Sequence, residues 1–190
     1  MRQRKIEPVT HPSYSTLPEA GASSHPWLRF LGRICLFNGF WLIVPILVWN
    51  VLFTLPGRYE PSIFWYTIPP LIVYGENTFR TLVILFPLLL SLSVRSRWER
   101  IGLLIYVVGL LAYFASWLAL ILLPESAWSR SAIGFLAPTY TPILWAVGIG
   151  LVGEKLHWRA PYRPWIYIAL AVGFTAFHVL HAVLVLTRSL

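Results

Sequence analysis

Two pairs of ionisable residues stand inside runs that are otherwise apolar: Glu76 and Arg80, four apart, and His178 and His181, three apart. At those spacings each pair shares one face of a helix. Ionisable groups are costly within a membrane and mark functional sites there by default. The chemistry they offer is proton transfer by Glu76 and His178, with Arg80 anchoring an anionic or carbonyl group and His181 as a second ligand-binding imidazole. A carboxyl with two imidazoles also resembles the donor sets that suit zinc or iron. Here HExxH is absent and a third ligand must come from another helix, so no metal ligand is assigned. Haem held by two histidines is disfavoured, because these two share one helix face and His11, His25 and His157 lie outside the spans. The same residues also suit structural work: an intrahelical ion pair in which Arg80 snorkels, and histidines satisfied by Ser, Thr or Tyr across a helix interface.

The runs that position these residues are of membrane length. The chain has 190 residues, 57% hydrophobic and 12% charged, with a mean hydropathy of +0.68. A soluble domain carries roughly 25% charge. Five candidate spans follow one another, at residues 34–55, 71–94, 101–123, 132–152 and 165–187. Each is long enough to cross a core of roughly 30 Å as a helix. Barrel strands would alternate in polarity, and LVILFPLLLSL does not. The expected fold is therefore all-α, a polytopic transmembrane bundle of five helices. Residues 1–26 are polar and Pro-rich and read as a mobile cytoplasmic tail, and residues 27–190 as the transmembrane domain. The first apolar run begins only after Arg33, too late for a cleavable signal peptide. A large extramembrane catalytic domain is excluded.

Basic residues set the expected orientation. Of 15 Lys and Arg, 11 fall before span one, between spans two and three, or between spans four and five. Only Arg58, Arg130 and Arg188 fall on the other side. The positive-inside rule then places the N-terminus in the cytoplasm and the C-terminus outside. Trp27, Trp98, Trp158 and Trp165 sit at the expected inner interface, Trp65 and Trp128 at the outer. The net charge of +8 is thus a topology signal, and no nucleic-acid partner is needed.

Helical rise gives depth. Glu76 lies roughly 7 Å and Arg80 roughly 13 Å below the outer boundary, His181 roughly 9 Å and His178 roughly 13 Å. Asn50, Asn77, Tyr113, Ser116 and the run Thr139, Tyr140, Thr141 fall near the same layer, so every span contributes a polar group. Pro138 and Pro142 bracket that run and predict a kink or break, which either lines a site or is satisfied by the neighbouring threonines. The aromatic, Pro-bounded segment at residues 56–70 suits the outer interface. Small residues four apart (Ala112 and Ser116, Ala115 and Ala119, Ala146 and Gly150, Ala169 and Gly173) predict close packing of spans three, four and five. The chain shows no internal repeat, P-loop or GxSxG motif and has no Asp, and its lone Cys35 reads as a small core hydrophobe.

In span number and tryptophan content the chain is similar to the tryptophan-rich sensory (translocator) proteins. That similarity involves no matched motif, so no residue role carries over. The expected function is a polar pocket in the outer half of the bilayer that binds an amphiphilic small molecule or lipid, with proton transfer or a metal as its further chemistry. No cofactor is identified. The alternative is a noncatalytic accessory or assembly subunit with a membrane-protein partner or a second copy of itself. The compact loops favour a bacterial inner membrane. Contact between spans two and five separates one four-residue constellation from two local pairs.

Overall fold

The computed structural model describes residues 38–54, 68–157 and 161–189. The tail at residues 1–26, Cys35 and the start of span one, the interfacial segment up to residue 67, and Trp158 lie outside the described residues. What is described is mostly helical. A 3₁₀ turn, Gly39–Leu42, leads into α1 (Val44–Thr54). Helix α2 (Pro70–Leu85) runs on as a 3₁₀ turn, Phe86–Leu89, into strand β1 (Leu90–Leu92). Helix α3 spans Arg97–Leu122, and the short α4 spans Ala127–Arg130. Span four comprises α5 (Ala132–Tyr140) and α6 (Pro142–Val152), followed by strand β2 (Gly153–Leu156) and α7 (Pro164–Ser189).

Four helical stretches are long and apolar enough to cross a membrane: Pro70–Leu89, Arg97–Leu122, Ala132–Val152 and Pro164–Thr187. The stretch Gly39–Phe53 is apolar but shorter. These helices are compatible with an integral membrane location.

Span two departs from the helix expected over residues 71–94. Pro87 has no N–H to give to the carbonyl of Val83, so the helix tightens into the 3₁₀ turn and then opens into β1. Strand β1 pairs antiparallel with β2, and Asn38 bridges Ser91 from the other side. A small β-ribbon therefore closes one end of the bundle. Span three starts at Arg97 rather than Ile101, because Ser96 and Glu99 form a capping box: Ser96 N–H donates to Glu99 Oε2 at 2.8 Å and Glu99 N–H to Ser96 Oγ at 3.2 Å.

Apolar side chains gain nothing by leaving lipid for a helix interface, so close backbone approach has to bring the helices together. In α3 and α6, Gly109 lies against the backbone of Leu144 and Trp145, and Gly148 against that of Tyr106. A methyl group at either position would collide with main chain. Helices α2 and α7 pack reciprocally: Phe177 covers Gly75 while Phe79 covers Gly173, and the two rings stack at 5.7 Å. Helix α6, at the centre, also packs on α7, and α5 packs on both α3 and α7. Helix α1 joins the bundle through side chains, with Trp49 stacked on Phe114 at 4.1 Å. Ile43, Tyr106, Ile149 and Tyr167 form part of the buried core.

Candidate functional site

Spans two and five are in contact, and their four ionisable residues meet. Glu76 stands in the second turn of α2 and is 3% exposed. Its Oε1 accepts from Arg80 Nη2, one turn on in the same helix. The same oxygen lies 2.9 Å from Nδ1 of His178, and Oε2 lies 2.5 Å from Nδ1 of His181. The two histidines present the same ring nitrogen because they are three residues apart on the face of α7 that packs on α2.

A carboxylate only accepts hydrogen bonds. Each Nδ1 must therefore carry its proton, and in a neutral ring the lone pair sits on Nε2. In His178 that Nε2 has no hydrogen-bond partner among the described residues, and the ring stacks on Phe174 at 5.1 Å between centroids. Arg80 Cζ lies 6.0 Å from the same Phe174 ring. The guanidinium and the imidazole thus rest on one aromatic side chain, which suits positive charge over either of its faces. The Arg80 side chain is 40% exposed, and beyond Nη2 its donors have no partner among the described residues.

These groups line a cavity of about 460 Å³ to which all five apolar segments contribute. That volume falls within the roughly 300–1,000 Å³ of small-molecule sites. Asn50 of α1 and Tyr113 of α3 meet in its wall, the tyrosine hydroxyl donating to Asn50 Oδ1 at 2.5 Å. Asn77 and Thr139 also line it. Tyr140 and Thr141 are not among the lining residues. Their hydroxyls donate to carbonyls of their own helix, Tyr140 to Ile133 at 3.2 Å and Thr141 to Ala137 at 2.8 Å. Thr139 does likewise, to Leu136 at 2.7 Å, so it faces the cavity with its donor already engaged. Ser116 is buried and bonds back to the carbonyl of Tyr113. The Thr-Tyr-Thr run therefore serves mainly its own kinked helix.

Glu76 faces the two imidazole N–H groups at hydrogen-bond distance. Among the described residues no group of three or more His, Cys, Asp or Glu is arranged to hold a metal ion. Sequence reasoning missed two contributors. Phe174 was findable, since it lies four residues before His178 on the same face. Trp145 was not, because it sits in an unbroken apolar run. It is 4% exposed, lines the cavity, and its indole N–H has no partner among the described residues.

Chemically, the arrangement is a carboxylate-oriented imidazole with a free Nε2, beside a guanidinium with free donors, inside an apolar enclosure. It can bind a polar head, orient it and exchange a proton with it. Comparison with known proteins returns no matching family, no matching relative and no matching solved structure.

Proposed function

We propose that this is an integral membrane protein of five helices, N-terminus cytoplasmic and C-terminus outside, whose cavity lies in the outer half of the bilayer. There it binds an amphiphilic small molecule or lipid. The observation that carries this reading is the convergence of Glu76, Arg80, His178 and His181, from two helices, on the wall of a cavity that all the apolar segments line. An ion pair that only set the height of α2 would not require two histidines from α7.

Among the described residues, helices α1 and α2 both line the cavity yet make little contact with each other, and this reading takes that flank as the entry from the outer leaflet. In this reading Arg80 anchors the polar head, His178 takes or gives the proton at Nε2, and Asn50, Asn77 and Tyr113 orient the molecule. The tail of the ligand lies along the apolar walls. The compact loops suit a bacterial inner membrane.

Glu76→Gln is the direct test. The amide presents a donor to one of the two Nδ1 atoms and forces that ring into the opposite tautomer. Native mass spectrometry of the purified protein is expected to show an amphiphile retained by the unmodified chain and lost from Glu76→Gln and His178→Ala, with near-normal insertion and yield. If these variants fail to accumulate, or shed a copurifying protein, the chain is instead an accessory or assembly subunit.

A further inference from the structure

The charge and hydrogen-bond balance of the cavity narrows the ligand. With neutral imidazoles the lining sums to zero: Arg80 and Glu76 from α2 cancel, α7 presents His178 and His181, α3 presents the bonded hydroxyl of Tyr113, and α1, α5 and α6 present no charged side chain. Free hydrogen-bonding capacity is not balanced. Arg80 has unused donors, whereas Asn77 and His178 Nε2 are the principal sites with acceptor capacity left among the described residues. An excess of donors in an apolar enclosure selects an oxyanion.

A buried oxyanion would leave one negative charge uncompensated, which a low-dielectric site does not tolerate. A proton on His178 removes that charge. It also turns Nε2 from a lone pair facing the oxyanion into a donor. His178 is the ring placed to take it: its side chain is 27% exposed against 10% for His181, and its Nε2 is free.

On the basis of the pocket proposed above, we infer that the ligand is an amphiphile with a single negative charge and that its binding takes up one proton on His178. A doubly charged head would need a second proton on the more buried His181.

The test uses the full chain in uncharged lipid nanodiscs. Hexadecanesulfonate is the probe, because its head stays singly charged throughout, so any proton taken up belongs to the protein. Hexadecanol and, above about pH 8, hexadecyl phosphate are the neutral and doubly charged comparisons. Titration calorimetry is expected to show sulfonate affinity falling with rising pH, by up to about tenfold per unit, the limit for uptake of one proton. Buffers of different ionisation enthalpy should report uptake of about one proton per sulfonate bound. His178→Gln should flatten the pH dependence. Arg80→Gln should weaken the sulfonate about tenfold or more and leave hexadecanol unchanged.

Sulfonate binding that is flat with pH in the unmodified protein overturns the proton uptake. Hexadecanol binding as tightly as the sulfonate overturns the anion, and hexadecyl phosphate binding more tightly overturns the single charge. Failure of all three probes to bind the folded protein overturns the pocket itself. Where His178→Gln does not accumulate, the buffer comparison on the unmodified chain decides.

Discussion

Three tyrosines donate to carbonyls that the helices leave free. Tyr167 OH reaches the carbonyl of Val83 at 2.9 Å, which Pro87 cannot serve. Tyr106 OH reaches Leu42, where the 3₁₀ turn passes into α1, at 2.8 Å, and Tyr162 OH reaches Gly150 near the end of α6 at 3.1 Å. Tyr167 is fully buried, so water cannot replace it. Tyr167→Phe is expected to destabilise the protein by about 1–3 kcal/mol, the desolvation cost of an orphaned buried acceptor. Thermal unfolding in detergent checks this, and Tyr74→Phe on the exposed face of α2 should be neutral beside it. Residues of this kind are hard to find in a sequence. A tyrosine in an apolar run shows only that its hydroxyl needs a partner, and Val83 is distant in sequence from Tyr167. Glu76, Arg80, His178 and His181 were legible because charge inside a span is rare and their spacing is helical. Thr139, Tyr140 and Thr141 looked equally polar, but nothing in their order shows whether a hydroxyl faces a cavity or its own backbone.

Among the elements, the β-ribbon was the least legible. Its strands are three and four residues long, lie far apart in the chain, and follow apolar runs that read as continued helix. The capping box at Ser96 and Glu99 could have been read directly from its Ser-x-x-Glu spacing. The ribbon is held by one asparagine. Asn38 Nδ2 donates to the carbonyl of Leu88 at 2.8 Å and faces His157 Nε2 at 3.2 Å, and His157 N–H donates to Leu89 at 3.0 Å. Since an amide nitrogen only donates, Nε2 must accept, which requires a neutral ring. Burial also lowers the pKa of His157 from its ordinary value of 6.5. The folded chain therefore binds this proton less readily than the unfolded chain does. The stabilisation is full above the unfolded pKa and is lost as pH falls from there toward the folded one. Amide exchange in Leu90–Leu92 and Gly153–Leu156 should accelerate as the pH falls below about 6.5, after correction for intrinsic rates. His157→Gln should remove most of that difference, because glutamine cannot titrate.

For the whole molecule, composition and apolar run length carried the most information. The four long apolar helices follow the expected order, because a span must bury its own backbone polar groups and leaves few alternatives. That spans two and five touch was not legible. Depth arithmetic placed their polar residues at one level, but helix order around a bundle depends on close approach at positions such as Gly75 and Gly173, and any glycine in a span looks alike in sequence. Orientation rests on charge bias alone. The described basic residues Arg95, Arg97, Arg100, Lys155 and Arg163 cluster near the ribbon, whereas Arg130 ends α4 at the opposite end and pairs with Glu125. Such an asymmetry sets direction during insertion because the more basic loops stay in the cytoplasm. A reporter that is active only outside the cytoplasm, fused after Leu190, should therefore be active, and the same reporter inserted after Glu154 should be silent. Replacing Arg95, Arg97 and Arg100 with Gln should weaken that bias and yield a mixed population. If the Leu190 fusion is silent in the unmodified chain, the inverted topology is correct, and the Glu76 cavity then opens toward the cytoplasmic leaflet.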